Sequence, residues 1–327
     1  MKKFIISFFL INLGLSGFAQ VIRGTVTDVE TKGKISFAYV YFNGTFTGTN
    51  TDKNGNFVLD ISDHSSMPLT VSALGYYTVT LKSFSTGKPL TISLKPKVFE
   101  LKEVVVSSRY RERIRKENLK HFRSAFLGTT QNSHECEILN EKDIMFRTDN
   151  DTLKAFSSNP ISIDNRALGY KVTYFLDEFE YYKKSGSFFF TGSIIFNEDA
   201  GTEGSGMQIY RIRRQNAYLG SRMHFFRSLW ADRLDSADFK VVNPAVEKLI
   251  YSNIVNEEDS LTKYLEYPED LGICYFSGLP NSYIFFRGEN VFFDKNGYFD
   301  PYGISWQGDM AEQRIADWLP YEYSEGK

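Results

Sequence analysis

Residues 48–60 read GTNTDKNGNFVLD. Thr49 and Thr51 before the centre, and Phe57, Val58 and Leu59 after it, are strand-forming residues with Asn54-Gly55 between them. Asn-Gly between two β runs is a strong hairpin signal, because both central residues of a type I′ turn need positive φ. The stretch therefore predicts two strands joined by a tight hairpin. Working outward, β-type runs recur at 21–26 (VIRGTV), 37–42 (FAYVYF), 45–51, 57–61, 69–73, 76–81 and 90–94. Each is too short for a helix, and turn residues separate them at sandwich-like spacing. The expectation is about seven strands in two layers.

Several of these elements, in order, carry a resemblance. Ile22-Arg23-Gly24-Thr25-Val26-Thr27-Asp28, Ala38-Tyr39-Val40, Gly48-Thr49, Thr51-Asp52-Lys53-Asn54-Gly55-Asn56-Phe57 and Ala73-Leu74-Gly75-Tyr76 resemble the carboxypeptidase regulatory-like domain, a transthyretin-type β-sandwich. The resemblance implies a docking or binding module rather than a catalyst, over residues 20–98. In that family the domain is commonly the front piece of Gram-negative envelope proteins. It also precedes the plug of TonB-dependent outer-membrane transporters. A segment like Leu101-Lys102-Glu103-Val104-Val105-Val106 often follows it there, as it does here.

Residues 1–19 read as a secretory signal. Lys2 and Lys3 precede a largely apolar run, and Gly17-Phe18-Ala19 supplies a small-x-small cleavage site, placing the mature start at Gln20. The run falls short of the roughly 20 apolar residues of a membrane span. No Cys lies near the cut, so no lipid anchor is expected. The chain reads as exported, to the periplasm or the outer membrane. A net charge of −2 gives no footprint for nucleic acid. Aromatic residues make up 16% of the chain, which suits sheet packing. Cys136 and Cys274 could pair in an oxidising compartment or remain buried thiols; the sequence leaves both open.

Residues 99–126 read as a junction followed by a basic amphipathic helix. RYRERIRKENLKHFR (109–123) has seven basic and two acidic residues. Leu119, Phe122 and Phe126 share a face, with Tyr110 and Ile114 extending it. Arg111, Arg113, Arg115 and Lys116 then form a candidate surface for anionic headgroups or a partner. The plainer alternative is a docked linker helix with a solvated basic face. Peripheral membrane contact at most is expected.

Residues 127–327 read as an α+β domain built on antiparallel sheet. Strand signals lie at 167–176, 188–196 and 283–293, the last with Gly288 at a hairpin. Residues 294–299 (DKNGYF) repeat the turn chemistry of 52–57. Helical pieces are expected at 220–234 and 310–318. Three segments are similar to a group of envelope proteins sharing this front module: Asn165-Arg166-Ala167-Leu168-Gly169-Tyr170; Tyr218-Leu219-Gly220-Ser221 with His224-Phe225; and Gln313-Arg314-Ile315-Ala316-Asp317-Trp318-Leu319-Pro320. That likeness extends the architecture and implies no chemistry.

A search for chemistry yields little. A zinc peptidase needs three N/O ligands and an open position. Of His64, His121, His134 and His224 only His134 has Glu three residues on, at Glu137, and His134-Glu135 lacks the second His of a His-Glu-x-x-His helix. There is no Gly-x-Ser-x-Gly elbow, and Gly204-Ser205-Gly206 reads as a loop tip. Residues 201–206 carry glycines without a Lys-Ser/Thr or a helix signal after them, so no phosphate loop is expected. His134 and Cys136 share a strand face, against the plainer reading of a buried thiol beside a surface His. Asp177, Glu178 and Glu180, and separately Glu266, Glu269 and Asp270, could supply paired carboxylates of the glycosidase type. Asp52, Asn54, Asn56 and Asp60 alternate and are weak calcium candidates, although turn chemistry explains them too. No catalytic, cofactor or metal site is assigned, and no cofactor is expected. The reading is a non-enzymatic envelope protein with an envelope protein or glycan as partner, of undetermined oligomeric state. The alternatives are an envelope glycan- or peptide-processing enzyme and an accessory part of an outer-membrane transport system. A full transporter barrel needs about 22 strands, too many for residues 108–327.

Overall fold

The structure is a computed structural model that describes residues 20–97, 108–199, 206–260, 262–288 and 290–325. The signal segment and the junction at 99–107 lie outside these residues. Seven strands form the front unit: β1 (Val21–Asp28), β2 (Tyr39–Phe42), β3 (Gly48–Asn50), β4 (Asn56–Asp60), β5 (Leu69–Ser72), β6 (Val79–Leu81) and β7 (Leu90–Leu94). They form two sheets, ordered β4-β1-β7 and β3-β2-β5-β6. All pairs are antiparallel except β1 with β7. Ile22, Val26, Val40, Phe42, Phe57, Leu59 and Val71 meet between the sheets as one buried core. The seven-stranded sandwich is the one expected.

The decisive stretch folds differently in one respect. β3 and β4 lie in different sheets, so residues 51–55 carry the chain across the sandwich instead of closing a hairpin. Gly55 has φ +73° while Asn54 does not reach positive φ, which rules out type I′. The turn is built by the Asp52 carboxylate, whose Oδ1 accepts from the N–H groups of Asn54 and Asn56, both at 2.8 Å. An Asp side chain that mimics a backbone turn needs left-handed geometry only at the following glycine.

Helix α1 (Ser108–Phe126) leads into the second unit. β8 (Cys136–Ile138), β9 (Ile144–Asp149), β10 (Thr152–Ser157), β11 (Ile161–Asn165), β12 (Tyr170–Tyr182) and β13 (Phe188–Glu198) form a six-stranded sheet around β12. One edge of β12 pairs first with β11 and then with β10; the other pairs along its length with β13. Tyr170, Val172, Tyr174 and Leu176 alternate onto one face, where Phe122 and Phe126 of α1 cover them. Both phenylalanines are fully buried and stacked at 4.9 Å.

Helices α2 (Gly206–Tyr218) and α3 (Arg222–Trp230) follow. α3 falls inside the helix expected at 220–234. α2 was not expected, because residues 201–206 showed no helix signal after them. Its apolar residues Met207, Ile209 and Ile212 face outward, while Arg213 and Arg214 face inward. Arg213 pairs with Glu135, and Arg214 donates to the Leu168 carbonyl and lies over the Tyr170 ring. A helix held by arginines on its inner face inverts the apolar periodicity that marks an amphipathic helix.

The remaining strands are β14 (Phe239–Val242), β15 (Lys248–Leu249), β16 (Val255–Asp259), β17 (Thr262–Leu265), β18 (Leu271–Tyr275), β19 (Ser282–Phe286), β20 (Val291–Phe293) and β21 (Ile304–Gly308). They make a five-stranded sheet, β15-β14-β18-β19-β21, and a three-stranded one, β16-β17-β20. Phe225, Phe226 and Leu229 of α3 share a second core with both. The region is thus α+β on antiparallel sheet, divided into three sheets and two cores. The hairpin expected at Gly288 does not form: β19 and β20 enter different sheets. The helix expected at 310–318 is reduced to one turn, Asp309–Glu312, and a 3-10 turn, Ile315–Asp317. Gln313 (φ −71°, ψ 116°) and Arg314 (φ −119°, ψ −167°), both extended, break it.

Candidate functional site

The sandwich and the α+β region meet through a loop, a sheet face and the C-terminal segment. The loop between β2 and β3 lies along β13, the edge strand of the six-stranded sheet. Asn43 Oδ1 accepts from Ile194 N at 2.8 Å, Gly44 N donates to the Ile194 carbonyl at 2.9 Å, and Phe196 N donates to the Thr45 carbonyl at 3.1 Å. An exposed strand edge is thereby covered by a neighbouring unit.

The outer face of the β3-β2-β5-β6 sheet packs on the β12–β13 pair. Tyr41, Phe175 and Ile195 form a buried cluster with Tyr39 against it. The Tyr41 ring stacks on Phe175 at 5.5 Å, and Tyr39 meets the same ring edge-on at 5.0 Å. Such pairs contribute about 0.5–1.5 kcal/mol each beyond their buried area. The Tyr41 hydroxyl bonds Ser72 Oγ at 3.0 Å and Ser193 Oγ at 2.5 Å, one serine from each unit. Burial holds its pKa well above the ordinary tyrosine value. A β-bulge between Leu176 and Glu178 re-aims Asp177 towards the sandwich, where Lys97 Nζ lies 3.5 Å away.

The C-terminal segment ties all units together. Tyr321 N donates to the Gly44 carbonyl at 2.8 Å. Glu322 Oε1 accepts from Phe46 N at 2.9 Å and His64 Nε2 at 3.0 Å, both in the sandwich. Arg227 of α3 donates to the carbonyls of Asn296, Tyr321 and Tyr323. Gly44 sits at φ +81°, and a Cβ there would lie 2.6 Å from the Tyr321 ring. Only glycine fits both the left-handed backbone and the close approach.

These contacts frame a partly open cavity of about 150 Å³. Asn43 and Gly44 of the sandwich, Ile194 and Phe196 of β13, Arg222 and Met223 of α3, and Asp317, Trp318 and Tyr321 line it. The segments at 218–225 and 313–320 meet at this cavity, and the segment at 165–170 braces the second of them. Asn165 Nδ2 donates to the Ala316 carbonyl, Gln313 Nε2 to the Ala217 carbonyl, and Arg222 to the Gln313 carbonyl. Ser221 caps α3 by accepting from His224 N at 3.0 Å. His224 is wedged against Tyr218 and Phe239, and burial pulls its pKa down to about 4. Asp317 accepts from Thr130 and Asn132, while burial pushes its carboxyl above the usual range.

The residues singled out from sequence are placed elsewhere. Asp177 lines a groove with Thr70, Thr78 and Tyr302; Glu266 lines a separate one with Asn256 and Tyr267. Glu180 pairs with Lys154 at 2.6 Å and accepts from Tyr182. Glu178, Glu269 and Asp270 are exposed. The carboxylate groups are not brought together. Cys136 on β8 and Cys274 on β18 are free thiols in different sheets. The Cys136 thiol is pushed up to about 12, first by burial and then by Asp317, Asp164 and Glu135, opposite to what a nucleophile requires. Asp52 serves its turn, Asn56 Oδ1 accepts from Thr25, and Asp60 Oδ1 accepts from Ser62. No group of three or more metal-ligating His, Cys, Asp or Glu occurs among the described residues.

Of the basic helix, Arg115 turns inward and donates to the carbonyls of Ile144 and Glu141. Arg113 and Lys116 are exposed, and the Arg111 side chain lies outside the described residues. Among the described residues no helix is long and apolar enough to cross a membrane. Arg222 was not found from sequence. Its neighbours Tyr218-Leu219-Gly220-Ser221 stand out in the sequence, but the partner segment at 313–320 is almost a third of the chain away and only the fold joins them.

Residues 22–106 match the family profile of the CarboxypepD_reg-like domain. No curated protein matches the chain.

Proposed function

We propose that this chain is a non-enzymatic, exported cell-envelope protein. Its regulatory-like sandwich would be fixed to its own α+β region through one sheet and offered to a partner through the other. The observation that carries the reading is the asymmetry of the sandwich. The outer face of β3-β2-β5-β6 is buried against Phe175 and Ile195. The outer face of β4-β1-β7 leaves Arg23, Val58, Asp60, Thr91 and Ser93 exposed, with Val58 more than half accessible. A docking-type domain with one face occupied internally has this second face free for an envelope protein or glycan. The positive, apolar and small-residue order of residues 1–19 supports export.

The test combines fractionation with site-specific cross-linking. The chain should be recovered beginning at Gln20, in the periplasmic or outer-membrane fraction. A photo-crosslinker at Val58 should capture a discrete partner in native envelopes, whereas one at Tyr41 should yield only intramolecular products. Cytoplasmic recovery would overturn the export reading. Hydrolysis of an envelope glycan or peptide abolished by Asp177→Asn or Glu266→Gln would overturn the non-enzymatic one.

A further inference from the structure

The cavity at the three-way junction holds a cation with no matching anion. Arg222 can offer five N–H donors. One is engaged, by the Gln313 carbonyl at 3.0 Å, and the guanidinium lies over the Trp318 ring, 5.3 Å from its centroid. Other arginines of this region are better satisfied. Arg213 has both oxygens of Glu135 at 2.8 Å, and Arg227 has three carbonyls. Among the described residues no carboxylate forms an ion pair with Arg222. Burial pulls its pKa down to about 10, the signature of a desolvated cation. Arg222 is half-buried, and a guanidinium facing a cavity without a carboxylate partner can be matched by an anion delivered to it.

The rest of the lining selects the ligand. Ile194, Phe196, Met223 and Leu319 give an apolar wall. A cavity of about 150 Å³ is large enough for a single aromatic ring. Asp317 also lines the cavity, but its carboxylate already accepts from Thr130 and Asn132. The cation whose charge it feels is Arg314, not Arg222, and its own charge disfavours a ligand carrying more than one negative charge. We propose that this cavity is a receptor for a small monocarboxylate with a compact apolar body, with Arg222 as its bidentate clamp. A planar guanidinium fork matches the two oxygens of a carboxylate as it does those of a phosphate, and the apolar wall together with Asp317 favours the carboxylate on an apolar body over phosphate. The inference goes beyond the docking role and needs only the folded chain, so it fails or holds independently of export and of any envelope partner.

The test is calorimetric titration of the chain starting at Gln20 with benzoate, toluene and inorganic phosphate. Benzoate should bind saturably with 1:1 stoichiometry, at least tenfold more tightly than toluene and at least tenfold more tightly than phosphate. Arg222→Met, which keeps the stem volume, should lose at least tenfold in benzoate affinity and retain toluene binding. Arg222→Lys should fall between the two. Toluene binding reports that the variant cavity is intact. The wild-type ranking of the three probes tests the inference even if both variants fail to fold. No saturable benzoate binding, phosphate binding equal to or tighter than benzoate, or benzoate affinity unchanged in Arg222→Met would each overturn it.

Discussion

The turns at 52–57 and 294–299 carry DKNGNF and DKNGYF and fold alike. In each the first Asp accepts two backbone N–H groups through Oδ1, from Asn54 and Asn56 or from Asn296 and Tyr298, at 2.8 to 3.0 Å. In each the glycine alone is left-handed, at φ +73° and +84°. Their surroundings differ. Asp52 stands in solvent at the edge of the sandwich, while Asp294 is 1% exposed, buried where α3 and the C-terminal segment close on the sandwich. Local sequence sets the turn, and burial sets what the same carboxylate contributes.

The largest difference is expected on deleting the carboxylates. Asp294→Ala strands the buried Tyr298 N–H away from water, at about 1–3 kcal/mol, and leaves the half-buried Asn296 N–H without its acceptor. Asp52→Ala lets water replace the lost acceptor and should cost clearly less. Urea unfolding of both variants checks this, and equal losses would break the comparison.

A smaller effect separates the turns by pH. Backbone bonding, first of all from Asn56, holds Asp52 below its ordinary 3.8. Its contribution is present above 3.8 and is lost as pH falls through the lowered folded value. Burial holds Asp294 above 3.8 despite its backbone bonds and nearby His64. Its ionisation therefore costs stability, a cost absent below 3.8 and complete above the raised folded value. Asn at either site keeps the accepting oxygen. Asp294→Asn should gain in Tm relative to wild type as pH rises from 3 to 7. Asp52→Asn should lose in Tm relative to wild type over the same range. Melting profiles that shift in parallel would show that burial does not divide the two sites.

The comparison also marks how far the sequence could be read. The seven runs of the sandwich and the carboxylate–glycine turn were legible, because strand propensity and turn chemistry are local. The hairpin at 48–60 was misread because pairing depends on which sheet each strand joins, and the same holds for 283–293. Helix α2 was hidden because Arg213 and Arg214, not apolar residues, hold its inner face. The cavity was not legible at all. Asn43, Arg222 and Trp318 are far apart in sequence, and nothing in the neighbourhood of Arg222 records that it will lack a carboxylate.

A sandwich fixed to its own α+β region should not unfold alone. Scanning calorimetry of the chain starting at Gln20 tests this most directly, with Gly44→Ala as the perturbation at the junction. That substitution costs about 1–2 kcal/mol for the left-handed backbone and about 1–3 kcal/mol for crowding the Tyr321 ring. One cooperative transition is predicted, lowered as a whole by Gly44→Ala. Two transitions, with the variant moving one of them or neither, would contradict it.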